Sequence, residues 1–179
     1  MGRPAFCLLL WLSLLATPGQ AAPPSEAAVK AALVANLAHY TEWPEATWSV
    51  KHTLVCVAGR GPVVETLQGF DSQVLLGRRI GVSPRSRPAD ARDCQVLFLG
   101  EGSGRPQGEW LLEWTLGLAA APVLTVCEGE DFVANGCMVG LQREGTQVAF
   151  DINFNALRRA SLRLSSHLLR LARNLYGKP

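Results

Sequence analysis

Five cysteines are the residues of this chain best equipped for chemistry. Four of them, Cys56, Cys94, Cys127 and Cys137, lie outside its apolar N-terminal stretch. An even set of thiols supports oxidative pairing into disulfides or coordination of a soft metal ion. The spacing argues against a metal. No C-x-x-C occurs, and none of the three histidines, His39, His52 and His167, stands at ligand spacing from a cysteine, so zinc is not expected. No G-x-S-x-G, H-E-x-x-H or paired-carboxylate motif accompanies the histidines. A Ser-His-Asp centre would have to assemble in space alone. The run GRGPVV at 59–64 resembles the opening of a dinucleotide fingerprint, but Val64 replaces its third glycine. Pro62 also removes a backbone donor where a phosphate would need one, so the run reads as a tight turn. No cofactor is expected.

The compartment decides which sulfur chemistry operates. Residues 1–21 read as a secretory signal: Arg3, an apolar stretch at 5–16, and the small residues of Gly19-Gln20-Ala21 before the cut. That stretch is shorter than the about 20 apolar residues needed to span a bilayer. Cys7 leaves with it, and the other four thiols enter an oxidising compartment. No second apolar run reaches membrane length, and no cysteine stands at a lipoprotein-type cleavage site. The chain has 17 basic and 15 acidic side chains, and the leader carries only Arg3 of these. The exported part is therefore close to neutral, which excludes a general nucleic-acid binder.

Positioning the cysteines requires a fold, and the residue pattern predicts a single α/β layered domain. A linker and helix start occupy 22–28, and the domain runs over 29–177. Residues 26–42 read as a first helix, with Ser25 as N-cap and Pro44 forcing an end. Short continuous apolar runs at 53–58, 79–83, 95–99 and 122–127 suit strands of a largely parallel sheet buried on both faces. Helical segments at 63–68 and 109–117 intervene. Residues 138–142 and 147–153 read as a hairpin closed at Glu144-Gly145. Residues 154–176 read as one long terminal helix. Leu157, Ala160, Leu164, Leu168, Leu171 and Leu175 form its core stripe, with Arg159, Arg163, Arg170 and Arg173 opposite. Leu162 and Leu169 fall outside that stripe, seven residues apart. They are expected to project together as a contact ridge for a partner or a second subunit, with scattered surface leucine as the bland alternative. Arg163 and His167 share a face at i, i+4 and would offer positive charge to a carboxylate.

Three blocks carry a family resemblance: VKAALVANLAHYTEWP (29–44), ARDCQVLFLG (91–100), and VLTVCEGEDFVANGCMVGL (123–141) running into VAFDINFNALRRASLRLSSHLLRLA (148–172). In this order they resemble the YfiR-like family of periplasmic proteins over nearly all of the exported chain. The resemblance implies a non-enzymatic regulator. It would bind the periplasmic part of an inner-membrane protein, a GGDEF-type diguanylate cyclase, and hold it inactive. Release raises cyclic-di-GMP and favours biofilm, and redox state and envelope stress are implicated in the switch. A homodimer fits such a protein. A ligand-binding accessory to an envelope sensor or transporter, or a small periplasmic hydrolase, are the rival readings.

Four cysteines allow three connectivities. The family commonly has Gly-Gly and an apolar residue where this chain has Gly136-Cys137-Met138, and a small polar residue where it has Cys127. These departures are complementary and suggest a Cys127–Cys137 bridge, leaving Cys56 with Cys94. Two purely structural bridges are one expectation; a redox switch at one of them is the sharper one.

Overall fold

A computed structural model describes residues 23–44 and 52–177. The leader and Trp48 lie outside the described residues. Helix α1 (Glu26–Leu37) begins at Ser25, whose hydroxyl accepts from the Ala28 N–H, and a 3-10 turn at Ala38–Tyr40 leads into the short strand β1 (Thr41–Glu42). The α-helix thus ends at Leu37, seven residues before Pro44 and short of the expected end at residue 42. Its buried face carries Ala31, Val34, Ala35 and Leu37, whereas Val29 is exposed. Small alanines let the helix backbone approach its neighbours closely.

Strands β2 (His52–Ala58), β4 (Arg78–Pro84), β5 (Val96–Leu99), β6 (Leu124–Glu128) and β7 (Val139–Glu144) run parallel. Their spatial order, β4-β2-β5-β6-β7, places the second of these strands outside the first, as in doubly wound sheets. Helices α2 (Pro62–Gln68) and α3 (Gln107–Gly117) cross between β2 and β4 and between β5 and β6. The two-residue β3 (Val74–Leu75) pairs antiparallel with β4 at one edge, and β8 (Gln147–Asn153) folds back antiparallel on β7 as the expected hairpin.

Alternate residues of the central strands serve two cores, which explains their continuous apolar runs. Val55, Val57, Val96, Phe98, Leu124 and Val126 face α1 and α2. Cys56, Ala58, Leu97, Leu99 and Cys127 face α3, where Trp114 is fully buried. The Lys30 amine joins the layers, reaching Glu26 on its own helix (2.6 Å) and Glu128 at the end of β6 (2.5 Å). Burial disfavours its charge, but the hydrogen bonds it donates to Glu128 and Glu26 outweigh that, so its pKa is raised.

The long terminal helix is not formed. Residues 154–176 break into α4 (Phe154–Arg159), β9 (Arg163–Leu164), α5 (Ser166–Leu171) and β10 (Asn174–Tyr176). Three interactions cut it. Ser161 adopts a left-handed φ of 56°. β9 pairs antiparallel with β1, and Ser165 caps α5 by accepting from the Leu168 N–H. β10 then lies parallel to β8 at the sheet edge. The core stripe consequently ends early: Leu157, Ala160, Leu164 and Leu168 are buried, whereas Leu171 and Leu175 are 62% and 47% exposed.

Candidate functional site

The clearest concave surface on the C-terminal segment is a mostly apolar groove of about 410 Å3 between α4, β9 and α5. Phe154, Leu157, Leu162, Leu164 and Leu169 line it, with Arg158 and Arg163 beside them. The local sequence builds it in steps. Asn153 ends β8 and caps α4, its side-chain oxygen accepting from the Ala156 N–H. The turn at Ser161 reverses the chain and sends Leu162 inward. Pairing of β9 with β1 then fixes Leu164 opposite Thr41 and Arg163 opposite Glu42.

The four residues expected to bind a partner are therefore rearranged. Leu162 is only 3% exposed and belongs to the core beneath the groove, so it forms no projecting ridge. Its expected partner Leu169 is half-buried and lines the same groove. Arg163 is on β9, not on a helix, and its Nε lies 3.8 Å from Glu42 Oε2 in an exposed pair. His167 is exposed on α5, its ring tilted against Tyr40 at 5.8 Å between centroids. The i, i+4 relation of Arg163 and His167 is lost because the chain turns at Ser165 between them. Sequence reasoning missed Phe154 and Arg158 as groove residues, and assigned Leu157 and Leu164 to core alone. A continuous helical period offered no signal of the break.

A second device holds the edge of this region. Asp151 is fully buried on β8. Its carboxylate accepts from Arg173 Nε (3.0 Å) and Nη2 (2.6 Å), from Gln142 Nε2 (3.1 Å), and from the backbone and side chain of Asn174 (3.0 and 3.2 Å). The hydrogen bond to Asp151 raises the pKa of the Arg173 guanidinium further. The latch keeps β10 on the sheet, where Tyr176 meets the Phe132 ring edge-on at 5.7 Å.

On the sheet face opposite the groove, Cys56 bonds to Cys94 and Cys127 to Cys137, with Cα separations of 5.9 and 6.2 Å. Each bridge ties a strand to the residues that lead into its parallel neighbour: β2 to β5, and β6 to β7. The second closes a loop whose Phe132 is buried and packs so closely over Gly140 that any side chain there would strike the ring.

At the switch point of the sheet, where doubly wound proteins bind ligands, backbone hydrogen bonds join the loops that leave β2 and β5. Arg60 N–H donates to the Glu101 carbonyl (3.1 Å) and Glu101 N–H to that of Arg60 (2.9 Å). A Cβ on Gly59 would stand 2.5 Å from the Glu101 carbonyl oxygen, and one on Gly100 would stand 2.5 Å from that of Arg60. Gly59 of the GRGP run thus serves loop-to-loop contact, and Gly61 supplies a positive φ of 123°, in keeping with the tight-turn reading. Trp43, near the end of the first helical segment, donates from Nε1 to the Pro122 carbonyl (3.0 Å).

With this geometry in place, the comparisons with known proteins are decisive for the family. The profile of the YfiR/HmsC-like family matches residues 27–173. The chain belongs to that family. Among solved structures, a conserved domain protein from Vibrio cholerae O1 biovar El Tor strain N16961 is similar in fold, with a TM-score of 0.56 at 10% sequence identity. The match covers 84% of this chain and 60% of that one, so it spans somewhat less than two thirds of the other's length. No curated protein matches the sequence. Among the described residues no helix is long and apolar enough to cross a membrane.

Proposed function

We propose that this chain is an exported, periplasmic regulatory protein that binds the outside-facing domain of an inner-membrane diguanylate cyclase of the GGDEF type and holds it inactive. Family membership supports the class of function. The observation that carries the binding surface is the groove at α4, β9 and α5. Its apolar floor of Phe154, Leu157, Leu162, Leu164 and Leu169 suits a partner's hydrophobic segment, and Arg158 and Arg163 suit acidic residues flanking that segment. Binding shifts the partner only by the difference in affinity for its two states, so the groove must fit the inactive one better. Reduction of one bridge would loosen the sheet beneath and release the partner.

The test is binding of the purified partner domain by calorimetry, with Leu169→Asp as the probe. A carboxylate placed in the groove should weaken binding by a factor of about 100 or more, as loss of an interface hot spot does. Unchanged affinity would remove the groove from the interface. A second reading, an apolar small molecule in the same groove, draws on its 410 Å3 volume, within the range of ligand sites. A compound that binds the chain without its partner, and is lost in Leu169→Asp, would favour that reading.

A further inference from the structure

Cys56, Cys94 and Asp93 form a cluster whose two sulfurs and one carboxylate oxygen all lie within 4.8 Å of one another; among the described residues no other such group of metal-type ligands occurs. The geometry points to a zinc site that exists only when the Cys56–Cys94 bridge is reduced. The idea goes beyond the proposed regulatory role and does not depend on it.

Three features of the site support it. The first is span. Two thiolates, each about 2.3 Å from a tetrahedral zinc, stand about 3.8 Å apart, so the cluster needs only small side-chain adjustments. The second is the third ligand. Asp93 Oδ1 lies 3.5 Å from Cys94 Sγ, and both carboxylate oxygens accept from Arg85 Nη2, Oδ1 at 3.2 Å and Oδ2 at 3.1 Å. Arg85 therefore holds the carboxylate against the sulfurs from outside, the arrangement in which a neighbouring partner orients a metal ligand. Arg85 is itself oriented, donating from Nη1 to Ser83 Oγ at 2.5 Å, and Ser83 is the strand neighbour of Cys56. The third is charge. Arg85 already balances Asp93, and two thiolates balance a divalent ion, leaving a neutral site against the buried apolar cluster of the α3 face. A monovalent ion would leave a buried net charge, which is costly. The sulfurs are nearly inaccessible, but Asp93 is 63% exposed and gives the ion an approach from solvent.

The chemistry balances in two steps. A dithiol reductant transfers two electrons and two protons: the Cys56–Cys94 S–S bond breaks, two thiols form, and the reductant becomes a disulfide. Zinc then bonds both sulfurs and their two protons pass to solvent.

The experiment titrates Zn(II) into the full chain after reduction by a dithiol and removal of excess reagent. Cd(II) serves as a spectroscopic probe through its thiolate charge-transfer absorption. Reduced protein should bind one equivalent, release about two protons per ion and melt at a higher temperature with zinc than without; oxidised protein should do none of these. Asp93→Asn, a substitution at an exposed side chain that leaves the core intact, should bind at least about tenfold more weakly. The Cys127→Ser/Cys137→Ser double variant should bind as the parent does. Absence of binding by the reduced chain overturns the proposal. So does equal affinity of Asp93→Asn, or loss of binding with the Cys127 and Cys137 thiols. If the reduced chain loses its near-ultraviolet dichroism, zinc should restore it, and failure to do so counts equally against the site.

Discussion

The two faces of the sheet are closed by different means. On the α3 face, two covalent bridges tie β2 to the lead into β5 and β6 to the lead into β7, around a fully buried Trp114. On the face of α1, α4 and α5 no bridge occurs among the described residues, and a larger apolar cluster does the work. A covalent bridge acts chiefly by restricting the unfolded chain, whereas packing and hydrogen bonds act in the folded state and yield locally. The groove therefore sits on the face able to adapt to a partner, and the redox chemistry sits on the face that holds the frame rigid.

The sharpest way to break this comparison is to place a charge beneath the groove. Leu162→Asp should lower stability by on the order of 5 kcal/mol, because an ion would be buried without a partner. Leu169→Asp, at the half-buried wall, should cost about 1 kcal/mol at most. Urea unfolding of both variants checks the contrast; equal losses would mean that the two leucines are alike after all.

Next come the bridges. In the loop-entropy account, removal of Cys56–Cys94, with a sequence separation of 38, should cost about 4 kcal/mol. Removal of Cys127–Cys137, with a separation of 10, should cost about 3 kcal/mol. Paired alanine variants, measured by denaturant midpoint, should show that order. Partner affinity of the oxidised groove should change little in the shorter-loop variant.

A smaller and local effect is expected at the latch. Asp151→Asn weakens the charged contacts to Arg173, so β10 should detach before the rest of the sheet. Hydrogen exchange at the Asn174 amide, which donates to Asp151 Oδ1, should accelerate towards that of a frayed strand, with the central strands unchanged.

The smallest effect is electrostatic. The raised pKa of Lys30 means that its ion pairs contribute fully below the unfolded lysine value of about 10.4. That contribution is lost as pH rises through the still higher folded value. Lys30→Met should thus cost no more than about 1 kcal/mol at neutral pH. The gap from the parent should close in alkaline solution, and a gap that widens would contradict the assignment.

Much of the frame was legible because its signals are local. Apolar runs at 53–58 and 95–99 could be read as doubly buried strands, and Gly145 with its neighbours as a hairpin turn. The groove was less legible. Leu162 and Leu169 were identifiable as departures from a helical stripe, but their placement required knowing that the helix ends at Arg159. Residues 154–176 contain neither proline nor glycine, so nothing in local propensity opposed a continuous helix. Asp151 and Arg173 are 22 residues apart on different strands, and no spacing rule connects them. Asp93 was likewise silent: it is an ordinary polar loop residue until β2 and β5 lie side by side.

The sequence alone determined the layered α/β class, the alternation of strands and helices, and the family blocks, since each rests on side-chain type and short-range period. Tertiary structure decided how the terminal segment is spent. Backbone groups at 163–164 and 174–176 satisfy their hydrogen bonds on β1 and β8 instead of within a helix, and this choice buries Leu162, exposes Leu171 and opens the groove. The energies of those two solutions differ only through partners far away in the chain, and a local reading has no access to them.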